Sequence, residues 1–502
     1  MKPEPVLTPD EIRAVEERVA KGAGRSLMER AGRAAAQAAL RLAADTGAPI
    51  LVVAGPGNNG GDAWVAAAYL SESFHRVVVL DVAGTRPKAT EAKTAKQGLE
   101  NKDGQVIREW PEALRPALIV DGLLGIGLVR DVELRFADII SRINASGVPV
   151  LSIDAPSGLD AGTGVVRGSA VRATRTLTFI AHKVGLHTAD GLDYRGELEL
   201  DDLGAGDEAR KEAHGTLLTP ETVAPWLKPR PRNSHKGMFG SVGVIGGNRS
   251  MVGAALLAAR AALLCGAGKV RAGLLAPDAP SADLVQPELM LGAIDDAVEM
   301  DVIVAGPGAG VSPSATSVSM FERNVLPALI ASAKPLVLDA DSLNAVAFNA
   351  SLETDLAARL KAPTILTPHP GEAARLLHKT TAEVNEDRLG SALALAKRFN
   401  AHVVLKGAGS ICAFPDGRWS VNTTGNAGLA AAGSGDVLAG MIGALLAQKL
   451  DPDKALQYAV CLHGAAADAC VARGIGPAGL TASDVALEAR TLMNQWTLVG
   501  NK

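Results

Sequence analysis

The sequence predicts an α/β protein made of two doubly wound domains in tandem. Three observations carry this. First, short continuous apolar runs end in polar, glycine-rich loops and lead into helical patterns, and this recurs in both halves of the chain. Runs of that kind are strands buried on both faces, as in parallel sheets covered by helices. Second, 502 residues exceed what one core organises, and a charged, proline-rich stretch (residues 211–232) breaks the pattern. Third, aromatic residues are only 3% of the chain while glycine numbers 54. That composition suits close packing of helices on parallel strands better than an aromatic-rich β-sandwich.

The same composition excludes several functions. A net charge of −4 leaves no electrostatic footprint for nucleic acid. The four cysteines, Cys265, Cys412, Cys461 and Cys470, show no metal-ligand spacing, so they read as small core residues in a reducing compartment. The N-terminus lacks the apolar centre of a signal peptide. No run approaches the ~20 apolar residues of a membrane span, and the expected location is cytoplasmic.

Along the first half, Thr8-Pro9-Asp10-Glu11 reads as N-cap, proline and first-turn acids of a helix. An alanine-rich helix is expected over residues 26–44. The apolar run Ile50 to Ala54 then ends at Gly55-Pro56-Gly57-Asn58-Asn59-Gly60-Gly61-Asp62, and a helical pattern covers residues 63–70. Strand, glycine turn and helix is how open α/β sheets receive ligands at strand ends, although the spacing is not G-x-G-x-x-G. A second run, residues 117–120, reaches Asp121 and Gly122-Leu123-Leu124-Gly125-Ile126-Gly127. A third, residues 149–153, reaches Asp154-Ala155-Pro156-Ser157-Gly158. A fourth, residues 176–179, leads to His182-Lys183. A single acid in such a loop is usually a turn former; three at equivalent places point to a shared site.

The set GPGNNGGD, DGLLGIG and IDAPSGLD resembles the YjeF N-terminal family, the NAD(P)HX epimerases, which interconvert the C6 epimers of hydrated NADH and NADPH. The resemblance implies a Rossmann-like domain over residues 1–213. It implies hydrate binding by Asn58, Asn59, Gly60, Gly61, Asp62, Gly125, Ile126, Gly127, Leu128, Val129, Arg130 and Asp131, with Asp154 as the catalytic acid beside C6. It further implies K⁺ at Asn59, Asp121 and Ser157. Ala63 and Ile126 stand where the family often has glycine and threonine.

The break itself (residues 214–235) is expected to be a linker with a short docking helix at Thr219-Pro220-Glu221. In the second half, the strand pattern returns at residues 240–247, and an alanine-rich helix follows at 252–265. Later runs end at Gly306-Pro307-Gly308-Ala309-Gly310, Asp339-Ala340-Asp341, Thr367-Pro368-His369-Pro370-Gly371-Glu372 and Lys406-Gly407-Ala408-Gly409-Ser410. The last member is Gly433-Ser434-Gly435-Asp436, where glycines meet an acid just before an apolar helix. A helix N-terminus beside glycines invites an anion, and Asp436 is then either a cap or a base beside a bound phosphate.

This ordered set resembles the YjeF C-terminal family, the NAD(P)HX dehydratases, which have a ribokinase-like fold, here over residues 236–502. The resemblance implies ADP as cosubstrate at Lys406, Gly407, Ala408, Gly409, Ser410 and Gly435, with AMP and phosphate as products and Mg²⁺ as helper. It places NADHX or NADPHX at Ala254, Gly308, Ala309, Gly310, His369 and Asp436, with Asp436 the catalytic base. Neither nucleic acid nor membrane is expected as partner, and a homo-oligomer is. Ala431-Ala432 and Ser434 stand where the family commonly shows Thr-Gly and Thr. The competing readings are a ribokinase-type small-molecule kinase and a non-catalytic nucleotide-binding module in the first half.

Overall fold

The computed structural model describes residues 3–20, 25–43, 47–73, 76–84, 87–101, 105–128, 130–311 and 319–499. The chain forms two compact units that divide between Thr216 and Leu217. The stretch around that division contains a strand, Gly215–Leu218, and the helix Pro220–Val223 capped by Thr219. Arg230, within the expected linker, is exposed, lies over the Phe239 ring and donates to Gln448 Oε1.

The first unit contains a seven-stranded parallel sheet. Its spatial order is Gln105–Ile107, Val77–Asp81, Ile50–Ala54, Leu118–Gly122, Val150–Ile153, Arg175–Phe179 and Glu197–Asp201. The chain starts at Ile50–Ala54, winds one way, then returns to wind the other. The carboxyl ends of Ile50–Ala54 and Leu118–Gly122 therefore flank the switch point, where open sheets bind ligands. The Ile50–Ala54, Leu118–Gly122 and Val150–Ile153 strands are wholly buried, which explains why they read as unbroken apolar runs.

Helix Pro9–Val19 opens with the expected capping box: Thr8 Oγ1 accepts from Glu11 N, and Glu11 Oε2 accepts from Thr8 N at 2.7 Å. Helix Leu27–Leu42 is capped by Ser26 and buries a face of small residues. Helix Asn58–Glu72 starts five residues before the expected pattern. Gly57 serves as its N-cap without a side-chain bond, so Asn58 to Asp62 lie on the helix rather than in a loop. A Cβ on Gly60 would sit 1.9 Å from the Gly55 carbonyl oxygen. Gly60→Ala is therefore expected to displace this first turn and lower the melting temperature of the unit, measurable by calorimetry, with a cost of about 1–3 kcal/mol.

The second unit has parallel strands in the order Met290–Gly292, Lys269–Leu274, Ser241–Gly246, Val302–Ala305, Leu336–Leu338, Thr364–Leu366 and His402–Leu405. The antiparallel strands Ile411–Ala413 and Trp419–Asn422 follow. The switch point lies between Ser241–Gly246 and Val302–Ala305, beside the Gly306–Gly310 turn. Helix Ser434–Ala447 packs on helix Val252–Leu264. A Cβ on Gly440 would fall 2.0 Å from the Ala258 carbonyl oxygen, so the glycine and alanine content lets these backbones touch. Helix Pro452–Ala472 is long and apolar enough to cross a bilayer by length and composition, yet 67% of its apolar window is buried inside the protein. Its Tyr458, Cys461 and Leu462 are core residues. All four cysteines are free and buried, and burial pushes the Cys265 and Cys412 thiols up to about 12.

Candidate functional site

In the first unit the carboxyl ends of five strands meet helices Pro9–Val19, Leu27–Leu42 and Asn58–Glu72 at a cavity of about 1010 Å³. Asn58, Asn59, Asp62, Gly125, Ile126, Gly127, Leu128, Arg130, Asp131 and Asp154 line it. Gly60 and Gly61 do not: they face the Gly55 backbone and the Met28 side chain, and their role is close packing. Val129 lies outside the described residues.

Asp154 has φ of 67°, in the left-handed region that glycine favours and that Asn and Asp enter more readily than other side chains. This turn directs its carboxylate back onto the neighbouring strand end. Its Oδ1 accepts from Phe179 N at 3.1 Å and from Lys183 Nζ at 2.6 Å. The Lys183 side chain is 1% exposed and also donates to Thr178 Oγ1 and the Phe179 carbonyl, each at 2.9 Å. Lys183 was absent from the expected site, although its place after the Arg175–Phe179 strand was the available signal. Glu16, reaching the cavity from helix Pro9–Val19, left no signal, since that helix stands outside the strand-end pattern.

Below the cavity floor, Asp121 is fully buried. It accepts from Ser157 Oγ at 2.6 Å, Ser157 N at 3.0 Å, Ser152 Oγ at 2.9 Å and Leu123 N at 3.2 Å. Burial raises its carboxyl above the usual range despite these bonds. Asn59 Nδ2 donates to the Leu124 carbonyl at 2.7 Å, while Asn59 Oδ1 is buried without a partner. Carboxylate, hydroxyl, amide oxygen and the nearby Leu124 carbonyl make an all-oxygen donor set, which suits a hard cation. Among the described residues nothing donates to the Asn59 oxygen, which leaves its lone pairs available.

In the second unit the strand ends deliver a charged cluster. Lys406 Nζ donates to Asp339 Oδ1 at 3.0 Å and lies 3.9 Å from Glu372 Oε2. Thr367 Oγ1 also donates to Asp339 Oδ1, at 2.6 Å. Burial pulls the Lys406 ammonium down, but Asp339 and Glu372 outweigh it and hold the group above its ordinary value. Asp339, Thr367 and Glu372 were quoted in the sequence motifs without a site role. Their function as the anionic frame around Lys406 appears only in three dimensions.

His369 is the N-cap of helix Pro370–Leu377. Its Nδ1 accepts from Gly371 N at 2.9 Å, and Glu372 Oε2 closes a capping box by accepting from His369 N. Burial, then Lys406 and Arg375, hold the imidazole below its ordinary value. With Nδ1 used as acceptor, Nε2 lies 3.3 Å from Glu372 Oε1. Gly308 packs beside Ala254 and the Met251 carbonyl, and Gly310 N donates to Asp341 Oδ2 at 2.8 Å. Gly407 has φ of 140° and lies against the Arg388 guanidinium, which donates to the Leu405 and Lys406 carbonyls. A Cβ on Gly435 would lie 3.0 Å from Lys406 Nζ, so the Lys406–Ser410 loop and the N-terminus of helix Ser434–Ala447 adjoin.

Gly433, with φ of 85°, caps that last helix without a side-chain bond. Asp436 is its third residue and no cap. Burial first, then the Asp339 charge, push its carboxyl up to about 7 against the pull of Lys406. A carboxyl group poised near neutrality in the first turn of a helix is suited to remove a proton next to a bound phosphate.

Comparison with known proteins covers both units. The family model for NAD(P)H-hydrate dehydratase matches residues 242–486, and that for the YjeF-related protein N-terminus matches residues 24–185. The Escherichia coli K12 bifunctional NAD(P)H-hydrate repair enzyme Nnr is 37% identical over 517 residues, covering 98% of this chain and 96% of the relative. The Coxiella burnetii enzyme of the same name is 38% identical over 93% of this chain and 94% of its own length. Among solved structures, the Bacillus subtilis ADP/ATP-dependent NAD(P)H-hydrate dehydratase co-crystallised with ATP/Mg²⁺ is 30% identical. It aligns with a TM-score of 0.47 over 56% of this chain and 98% of that one. Identity over nearly the whole length, with both domain models in order, places the chain in the family of bifunctional NAD(P)H-hydrate repair enzymes, an epimerase domain followed by a dehydratase domain.

Proposed function

We propose that dehydration proceeds by phosphoryl transfer from ADP to the C6 hydroxyl of the hydrate, followed by elimination. Asp436 takes the hydroxyl proton as the oxygen attacks the terminal phosphorus, and AMP departs. The ring nitrogen then expels phosphate from C6, and loss of a C5 proton restores the reduced nicotinamide. Phosphoryl transfer asks little of the protein beyond positioning and charge stabilisation. The helix N–H groups after Gly433 and the Lys406 ammonium supply both, while the Lys406–Ser410 loop holds the nucleotide. The hydrate lies against Ala254, the Gly308–Gly310 turn and His369.

Among the described residues no cluster of three or more His, Cys, Asp or Glu forms a protein-only metal cage. This suits Mg²⁺, which is usually held by one or two carboxylates together with phosphates. Asp339 and Glu372 are the carboxylates for that role, and the ion would neutralise charge developing on the phosphates. In the epimerase domain, Asn59, Asp121 and Ser157 would hold K⁺, which would tie the first helix turn to two strand ends and order the cavity floor.

The observation that carries this reading is Asp436: a helix start without a side-chain cap, a carboxyl raised to about 7, and a lysine–carboxylate cluster beside it. The test is to incubate the full chain with hydrated NADH, Mg²⁺ and ADP and follow the near-ultraviolet absorbance of reduced nicotinamide. Absorbance should return in step with AMP and phosphate, and only with a nucleotide present. Recovery at the same rate without nucleotide would sink the phosphoryl-transfer route.

A further inference from the structure

Glu16, Asp62 and Asp154 bring three carboxyl groups to the epimerase cavity from three separate elements, and their surroundings differ. Asp154 Oδ1 accepts from Lys183 Nζ and Phe179 N, with the Thr178 hydroxyl at 3.4 Å. Donors converging on one oxygen, one of them a buried ammonium, define an acceptor-only carboxylate. Its Oδ2 takes no protein hydrogen bond among the described residues. Asp62 is the reverse case. It stands in the second turn of helix Asn58–Glu72 and lines the cavity, and its carboxyl group makes neither hydrogen bond nor ion pair to any described residue.

The other charged groups at the cavity do not neutralise Asp62. Arg13 is engaged by Asp10, and Arg130 donates to Glu133 at 3.1 Å. Lys183 belongs to Asp154. Glu17, Asp131 and Glu133 add only negative charge. Burial first, then the charges of Asp154 and Glu16, hold the Asp62 carboxyl well above the usual range. Glu16 is raised as well, by burial and Asp154, but Lys183 and Arg13 pull it back.

We propose that Asp62 is the proton donor of the epimerase and Asp154 its proton acceptor, a division of labour set by Lys183. The proposal rests on the cavity being the epimerase site. In the hydrate, C6 bears both a hydroxyl group and the ring nitrogen. Asp62 gives its proton to that hydroxyl; the C6–O bond breaks with its electron pair on oxygen, and water leaves. The nitrogen lone pair forms the C6=N bond, so the ring becomes a planar cation between two carboxylates, which stabilise it. Water then adds to the other face of C6. The C6=N pair returns to nitrogen, and Asp154 Oδ2 takes the proton of the incoming water. The substrate is inverted, nothing is oxidised or reduced, and one proton has moved from Asp62 to Asp154, to return through cavity water.

The test uses the full chain with Asp62→Asn and Asp62→Glu. Conversion of the R to the S epimer is followed by chromatography with the spontaneous rate subtracted, and dehydration of the S epimer by the same preparation is the control. Asp62→Asn is expected to lower kcat for epimerisation by about 10²- to 10⁴-fold with little change in KM, and to leave dehydration unchanged. The donor must be protonated, so wild-type kcat/KM should fall as pH rises through the Asp62 range, and the residual rate of Asp62→Asn should lack that limb. A wild-type chain that epimerises and an Asp62→Asn chain within about threefold of it would overturn the proposal, as would a rise in KM alone. A wild-type chain without epimerase activity would instead overturn the assignment of the cavity. If Asp62→Asn melts early, Asp62→Glu decides. A displaced alkaline limb supports the proposal, and an unmoved limb refutes it.

Discussion

Asp436→Asn is expected to remove dehydration while epimerisation continues at the wild-type rate. General-base catalysis is typically worth about 10²- to 10⁴-fold, or roughly 3–5 kcal/mol of barrier. Because the carboxyl of the free enzyme is raised to about 7, it acts as a base only above that range. Wild-type kcat/KM for dehydration should therefore climb as pH rises through about 7 and level off beyond it, and the variant should show no such climb. The same group makes an opposite prediction for stability. An unfolded aspartate ionises near the ordinary value of about 3.9, whereas the folded group holds its proton up to about 7. Folding thus binds a proton in that window, and the stability it contributes is present below about 4 and is lost as pH rises toward about 7. Asparagine does not titrate. Asp436→Asn should accordingly be more stable than wild type at pH 8, by up to roughly 4 kcal/mol, and no more stable at pH 4. Denaturant titration at the two pH values checks this, and equal differences at both would refute it. The reaction would then be driven by a group that costs the fold stability at working pH.

Asp154→Asn should do the reverse, removing epimerisation while dehydration remains. It should also destabilise the first unit, because Lys183, 1% exposed, loses its charged partner. Breaking a buried pair from one side typically costs about 3–5 kcal/mol. Asp154→Asn combined with Lys183→Met removes both charges, and this double variant should regain most of the stability but none of the epimerase activity. Thermal melts with the two activity assays separate these effects. If the double variant melted no higher than Asp154→Asn alone, the buried charge would not be the source of the loss.

Much of this was legible along the chain. The runs Ile50 to Ala54, residues 302–305, 364–366 and 402–405 are strands because they are buried on both faces and need no polar alternation. The helix starts at Thr8 and Ser26 follow from hydroxyl caps. Where helices begin on glycine, the starts came earlier than the pattern implied. Asn58–Glu72 and Ser434–Ala447 take Gly57 and Gly433 as caps, and the small residues after them show no apolar period. The strands Ile411–Ala413 and Trp419–Asn422 pair antiparallel, an addition that the βα rhythm does not announce.

Residue type and order by themselves pointed to two α/β units, to strand-end loops able to carry chemistry, and to Asp154 and Asp436 as acids in those loops. Those are local properties: a buried strand must be apolar, a tight turn needs glycine, and a reacting proton needs a carboxyl group. Tertiary structure alone decided the state each acid adopts. Lys183 fixes Asp154 from the next strand end, Asp62 is left among negative charges, and Asp436 is raised by Asp339 from a loop almost a hundred residues away in sequence. The physical reason is that electrostatic energies depend on distance and burial, which connect residues that the sequence keeps apart.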